Sequence, residues 1–173
     1  LSTTTLSSFA ATQVAALSAT GIGALSNTQV AALSTTQVKA LTTTQIPNFS
    51  SDVTFSSAQL LALNEVQLGS FNATLVANIN VTAVGSFATT QIQAFSAANF
   101  PAPDQTRAGA LTTTQISSLT TAQVGGLTAT DIGELSSTQA RAFTATQVAR
   151  LDTAAVAAFD ATPFDQVKVV ILG

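Results

Sequence analysis

The chain has 173 residues, of which 46% are hydrophobic and only 8% charged, with a formal charge of −3. It contains no His, Cys, Met, Trp or Tyr, which excludes imidazole and thiol chemistry, Cys/His zinc sites and disulfides. Five basic residues against eight acidic ones leave no basic face to displace counterions from a nucleic acid backbone, so nucleic acid is not an expected partner.

The chain opens LSTTTLSSFA, without Met, a basic n-region or an apolar h-region, and is read as a processed or excised piece with no secretory signal in view. From Leu1 onward a period of eight governs the sequence. Leu or Phe recurs at Leu1, Phe9, Leu17, Leu25, Leu33, Leu41 and Phe49; after a six-residue unit the series continues at Phe55, Leu63, Phe71, Ile79, Phe87 and Phe95. It resumes from Leu111 through Leu119, Leu127, Leu135, Phe143 and Leu151 to Phe159. A second apolar residue follows five positions later, as at Val14, Ile22, Val30, Val38, Leu60, Leu68, Ile92, Ile116, Val124 and Val148. The consensus is L-S/T-T/A-T-Q-V-A-A.

A continuous α-helix cannot carry this period, because each octad would be rotated by about 80° from the last and no apolar stripe would survive. One long strand fails as well, since positions one and six would face opposite ways. The chain must turn in every unit, which predicts a solenoid.

Position two selects the type of segment. It holds Ser18, Ser26, Ser34, Thr42, Ser50, Ser56, Asn64, Asn72, Asn80, Ser96, Asp104, Thr112, Thr120, Thr128, Ser136, Thr144, Asp152 and Asp160, with Ala10 and Ala88 as exceptions. These residue types share a short side-chain oxygen that accepts from the free N–H groups of a helix's first turn. Three residues later stands Gln13, Gln29, Gln37, Gln45, Gln59, Gln67, Gln91, Gln115, Gln123, Gln139 or Gln147, the third residue of a capping box, reaching back to the cap N–H. Leu before the cap and Val or Ile at the fourth helical position have the spacing of a hydrophobic staple. Helices this short are unstable alone, so successive units must stack. The prediction is an all-α solenoid of tandem eight-residue units, each a short capped helix, with Leu/Phe and Val/Ile inward. The competing reading is a β-solenoid, favoured by the Thr and Val content and by triplets such as Thr42–Thr44 and Thr112–Thr114. Against it, the Gly residues wander among positions five, seven and eight, where corners would fix them.

In chain order, a first block spans 1–99, with a register shift near 49–55 where FSSDVT lacks two residues. Residues 100–110, FPAPDQTRAGA between Phe100 and Ala110, read as a connector loop. A second block spans 111–166, and 167–173, VKVVILG, reads as a strand-like cap or tail. The longest apolar run, Val169 to Leu172, is far too short to span a bilayer.

The acids are Asp52, Glu65, Asp104, Asp131, Glu134, Asp152, Asp160 and Asp165. Asp104, Asp152 and Asp160 fall on cap positions and Asp131 replaces a capping-box Gln, so the paired carboxylates of a glycosidase are not assigned. No alternating-acid calcium loop and no glycine-rich phosphate loop occurs. No catalytic residue, cofactor or metal ligand is expected, and the chain is not expected to be an enzyme. Asn48, Asn72 and Asn80 lie in N-glycosylation patterns, the last two also on caps.

Tandem units such as LSTTQVKALTTTQI and LTTTQISSLTTAQV resemble the short LTTxQVxAL repeats of large predicted bacterial surface and adhesin-like proteins. The resemblance implies an extracellular or cell-surface, structural or adhesive role, and it transfers no functional residue. Independently, a neutral Ser/Thr/Ala-rich solenoid lacks the usual electrostatic defence against self-association. The leading expectation is a structural protein assembling with itself into an extracellular filament, stalk or sheath. The alternative is an adhesin or ice-binding module with a Thr-rich face, with a cell surface or glycans as partner.

Overall fold

A computed structural model describes residues 1–100 and 105–161. Every regular element among them is a helix, which establishes the all-α reading over the β-solenoid. The chain divides into two compact units, one of residues 1–87 and one beginning at Ala88. In the first, α1 (Thr3–Ser7), α2 (Ala11–Ala15), α3 (Ala19–Gly23), α4 (Asn27–Ala31) and α5 (Thr35–Lys39) follow one per octad. After a 3-10 turn at Ile46–Asn48 come α6 (Ser57–Ala62), α7 (Glu65–Gly69), α8 (Ala73–Ala77) and α9 (Val81–Val84). The second unit holds α10 (Thr89–Gln93), α11 (Gln105–Ala108), α12 (Thr113–Ser118), α13 (Thr121–Gly125), α14 (Ala129–Gly133), α15 (Ser137–Ala140), α16 (Ala145–Val148) and α17 (Thr153–Ala161).

One octad explains the others. Ser34 is extended (φ −69°, ψ 159°), and its Oγ accepts the Gln37 N–H at 3.2 Å while Gln37 Oε1 accepts the Ser34 N–H at 2.8 Å. These two bonds supply the partners that a helix's first turn otherwise lacks. At the other end the Ala40 N–H donates to the Gln37 carbonyl and the Leu41 N–H to the Val38 carbonyl, closing the turn before the next extended pair. Where the cap is Ala10 or Ala88, only half of this arrangement exists, with Gln13 or Gln91 Oε1 accepting the cap N–H. No described residue has positive φ, so the corners need no glycine and its scatter along the octad costs nothing.

The two apolar positions point inward. Leu6, Val14, Ile22, Val30 and Val38 are fully buried, as are Ile92, Ile116, Val124 and Ile132 in the second unit. Leu25, Leu33, Leu41, Phe71, Phe95 and Leu119 are buried beside them, whereas Phe9, Leu17, Phe143 and Leu151 are half-buried and Leu1 is exposed. Helices pack on helices three octads away: α4 on α1, α5 on α2 and α9 on α6 in the first unit, and α15 on α12, α16 on α13 and α17 on α14 in the second. Each octad thereby covers the apolar face of one already formed, which is how a single-turn helix survives in water.

Around the two-residue deletion the chain stays packed. Phe49 and Phe55, six residues apart, both turn inward and meet edge to face, ring centroids 5.2 Å apart. Val53 is fully buried between them in sequence, and Pro47 sits in the 3-10 turn, where its missing N–H is harmless.

Two further details add to the sequence reading. The 100–110 segment contains the short helix α11, and Phe100 and Ala108 are buried. At the other end α17 runs without a break through position 160, where a new cap was expected, because its Ala-rich stretch is strongly helix-forming. The strand-like reading of 167–173 lies outside the described residues, as do Asp104 and Asp165.

Candidate functional site

The feature that organises both units is a line of buried glutamines. A capping-box Gln spends its Oε1 on the local cap, and at the buried positions its Nε2 amide reaches a neighbouring turn. Gln37 Nε2 donates to the carbonyls of Leu6 at 2.9 Å and Phe9 at 2.8 Å, and Gln45 repeats this on Val14 and Leu17. In the second unit Gln123 donates to Ile92 and Phe95, Gln139 to Ala108 and Leu111, and Gln147 to Ile116 and Leu119. In these cases the acceptors lie 31 and 28 residues back, in the last turn of a helix and just beyond it, and the first of each pair also accepts an N–H three residues on, as Leu6 does from Phe9. A single side chain thus caps the start of its own helix and the end of a helix in the turn below. Most of these glutamines are dry: Gln37, Gln45, Gln59, Gln67, Gln115, Gln123 and Gln147 are all at most 4% exposed, whereas Gln29 is half-buried.

The ladder also measures the deletion. Gln59 and Gln67, whose turn spans residues 49–55, reach back 29 and 26 residues, two fewer than elsewhere. The next two octads carry Leu75 and Ala83 where Gln would stand. Asparagine amides serve instead: Asn72 Nδ2 donates to the Pro47 carbonyl, Asn78 Nδ2 to Ser51 and Val53, and Asn80 Nδ2 to Phe55. The same bonds occupy the amide nitrogens of two of the glycosylation patterns, Asn72 and Asn80, and that of Asn48 donates to the Thr44 carbonyl.

The acids are dispersed. Asp52, Glu65 and Asp152 are exposed, and Asp152 Oδ1 accepts the Ala155 N–H at 2.7 Å as an N-cap. Asp131 is only 6% exposed, and its Oδ2 accepts from both the N–H and the hydroxyl of Thr128 at 2.7 Å. It keeps the capping half of the glutamine's role but has no amide to donate. At this position lies a cleft of about 320 Å³ that also brings in Glu134. Its other walls include Ala97, Ala98, Phe100, Gln123, Gly126, Thr128 and Thr130. Among the described residues no group of three or more His, Cys, Asp or Glu is placed to hold a metal ion, and no helix is long and apolar enough to cross a membrane.

The sequence reading found the caps but not the ladder. A signal was present: a capping box accepts Glu as readily as Gln, yet every unmodified octad uses Gln, the residue that adds a donor.

Residues 22–51 match the family model described as the ALTTAQ repeat, which bears out the resemblance to short tandem repeats in that stretch. Neither the curated proteins nor the solved structures yield a match.

Proposed function

We propose that the chain is a non-enzymatic structural repeat protein that self-associates into an extracellular or cell-surface filament, stalk or sheath. The observation that carries this reading is the buried amide ladder. It joins turn to turn with neutral groups whose strength does not depend on salt or pH, in a chain whose exposed surface is largely uncharged Ser, Thr and Ala. Such a scaffold tolerates changing external conditions, and weak charge leaves little to oppose packing of identical copies. Head-to-tail contacts between copies would give open fibres. The resemblance to bacterial surface repeats supports the extracellular, bacterial placement.

An ice- or surface-binding Thr plane is less well supported, because the position-two oxygens are engaged: those of Ser34, Thr42, Thr112 and Thr120 each accept a backbone N–H. Analytical ultracentrifugation over a concentration series, beside negative-stain imaging, tests the proposal. Ordered fibres or a concentration-dependent series of oligomers are expected. A chain that stays monomeric at high concentration and forms no fibres overturns it.

A further inference from the structure

We propose, resting on the self-association put forward above, that the first turn of the first unit, α1 to α3, is a docking face for a second copy of this chain, which lays the last turn of its own second unit, α15 to α17, against it. Within the first unit α1, α2 and α3 are covered on one side by α4, α5 and the 3-10 turn at Ile46–Asn48. On the other side the described residues place no octad, and the apolar side chains of position one record it. Leu1 is 65% exposed and Phe9 and Leu17 are half-buried, whereas Leu25, Leu33 and Leu41 are buried. A solenoid end that faces water is closed by a unit with a polar outer face; this one presents two leucines and a phenylalanine.

The polar groups select what fits there. Rung amides reach toward earlier turns, so an uncovered first turn offers a donor. Gln13 Oε1 accepts the Ala10 N–H, while its Nε2 is exposed and makes no bond among the described residues. Gly21 has no side chain to serve as a rung, and Gln29 Nε2 already donates to the Leu1 carbonyl, so Gln13 carries the open amide of this face. In the second unit the need is reversed. Phe143 and Leu151 are half-buried, as Phe9 and Leu17 are. At the 28-residue spacing that brings Gln37 to Phe9, Leu135 and Phe143 are followed by Pro163 and Ile171, neither of which has an amide side chain. Two first turns brought together would set donor against donor and leave the acceptors of the last turn unanswered, so the contact is head to tail rather than two-fold. It repeats what the fold already does, one turn of octads laid on another, with Gln13 as the rung across the joint.

The test uses the full chain carrying Leu1→Asp together with Gln13→Glu. Both side chains are exposed, so the fold is left intact, which circular dichroism of a dilute sample checks. Sedimentation velocity over a concentration series should show association weakened about tenfold or more relative to the unaltered chain. Val66→Asp, which puts the same charge on an apolar side chain 71% exposed on α7, should associate as the unaltered chain does. Because the double variant keeps its last turn, a fluorescently labelled sample added in small proportion should enter oligomers of the unaltered chain at one end and shorten them. An unaltered chain that stays monomeric overturns both the self-association and the docking face. If it associates and the double variant associates equally well, or Val66→Asp loses as much, the docking face alone is overturned. A labelled variant that never enters the oligomers shows pairing of like ends and overturns the head-to-tail contact.

Discussion

Converting a buried rung from amide to carboxylate isolates the contribution of the ladder from that of the capping box. In Gln123→Glu the carboxylate still accepts the Thr120 N–H that Gln123 Oε1 accepts at 3.0 Å, so the local cap survives. The donor to Ile92 at 2.8 Å and Phe95 at 2.9 Å is lost, and the side chain is only 1% exposed. The Ile92 carbonyl keeps the Phe95 N–H at 3.4 Å, so the main penalty is the buried Phe95 carbonyl deprived of its amide donor, about 1–3 kcal/mol, or about 2 kcal/mol at the middle of that range. For a chain of this size that corresponds to a fall in melting temperature of roughly 4–8 °C. Burial and two facing carbonyls disfavour the charged carboxylate, so the variant's folded state holds its proton to higher pH than the unfolded chain does. The folded form then binds more protons than the unfolded form, and stability rises as pH falls through that interval; once protonated, the new O–H donates where the amide did. The control is Gln13→Glu, because Gln13 is exposed and its Nε2 makes no bond to another turn. Thermal unfolding followed by circular dichroism at pH 7.5 and pH 5 should show a large, pH-sensitive loss for Gln123→Glu and almost none for Gln13→Glu. Equal losses in the two variants at pH 7.5 would refute the ladder as a source of stability.

Caps give a second set of expectations. Ser34→Ala should cost about 1 kcal/mol in chemical denaturation, whereas Ala10→Ser should gain a similar amount, since Ala10 (φ −64°, ψ 154°) already has the geometry of the Ser caps. Two glycines should respond oppositely to Ala. A Cβ at Gly23 meets the Asn48 carbonyl oxygen at 2.9 Å, so Gly23→Ala should lower the melting temperature; Gly133 has nothing within 4 Å, and Gly133→Ala should raise stability by about 0.5–1 kcal/mol through helix propensity. Phe55→Ala, which removes the edge-to-face partner of Phe49, should cost about 3–5 kcal/mol by denaturant titration.

Local signals carried most of the fold. Ser34, Gln37 and Val38 lie within one helical turn, so cap, capping box and apolar face are all visible in a five-residue window. Partners of Gln37 at Leu6 and Phe9 lie far outside that window, and periodicity alone does not say how many octads separate stacked helices. Only the use of Gln in place of Glu left a trace of them. The cleft was hidden for a related reason: Asp131 is an acceptable capping residue, and only beside the other rungs does it stand out as lacking an amide that could reach another turn. Near the deletion, nothing in the octad pattern assigns Asn72, Asn78 and Asn80 to the work of glutamine, because they stand at other positions in the unit and reach their carbonyls from there.

The rungs all point the same way along the chain. At Gln37, Gln45, Gln59, Gln67, Gln123, Gln139 and Gln147 the amide donor comes later in sequence than the carbonyls it binds. During synthesis the acceptors therefore leave the ribosome first, and each new octad arrives with both its own cap and the fastening for the layer beneath it. Growth from the N-terminal side lays every course on a finished one, and at no stage does a completed helix end wait for more than about 31 residues of further translation. A structure assembled in this order has little use for long-range search, and the same rule that builds one turn of a unit builds the next.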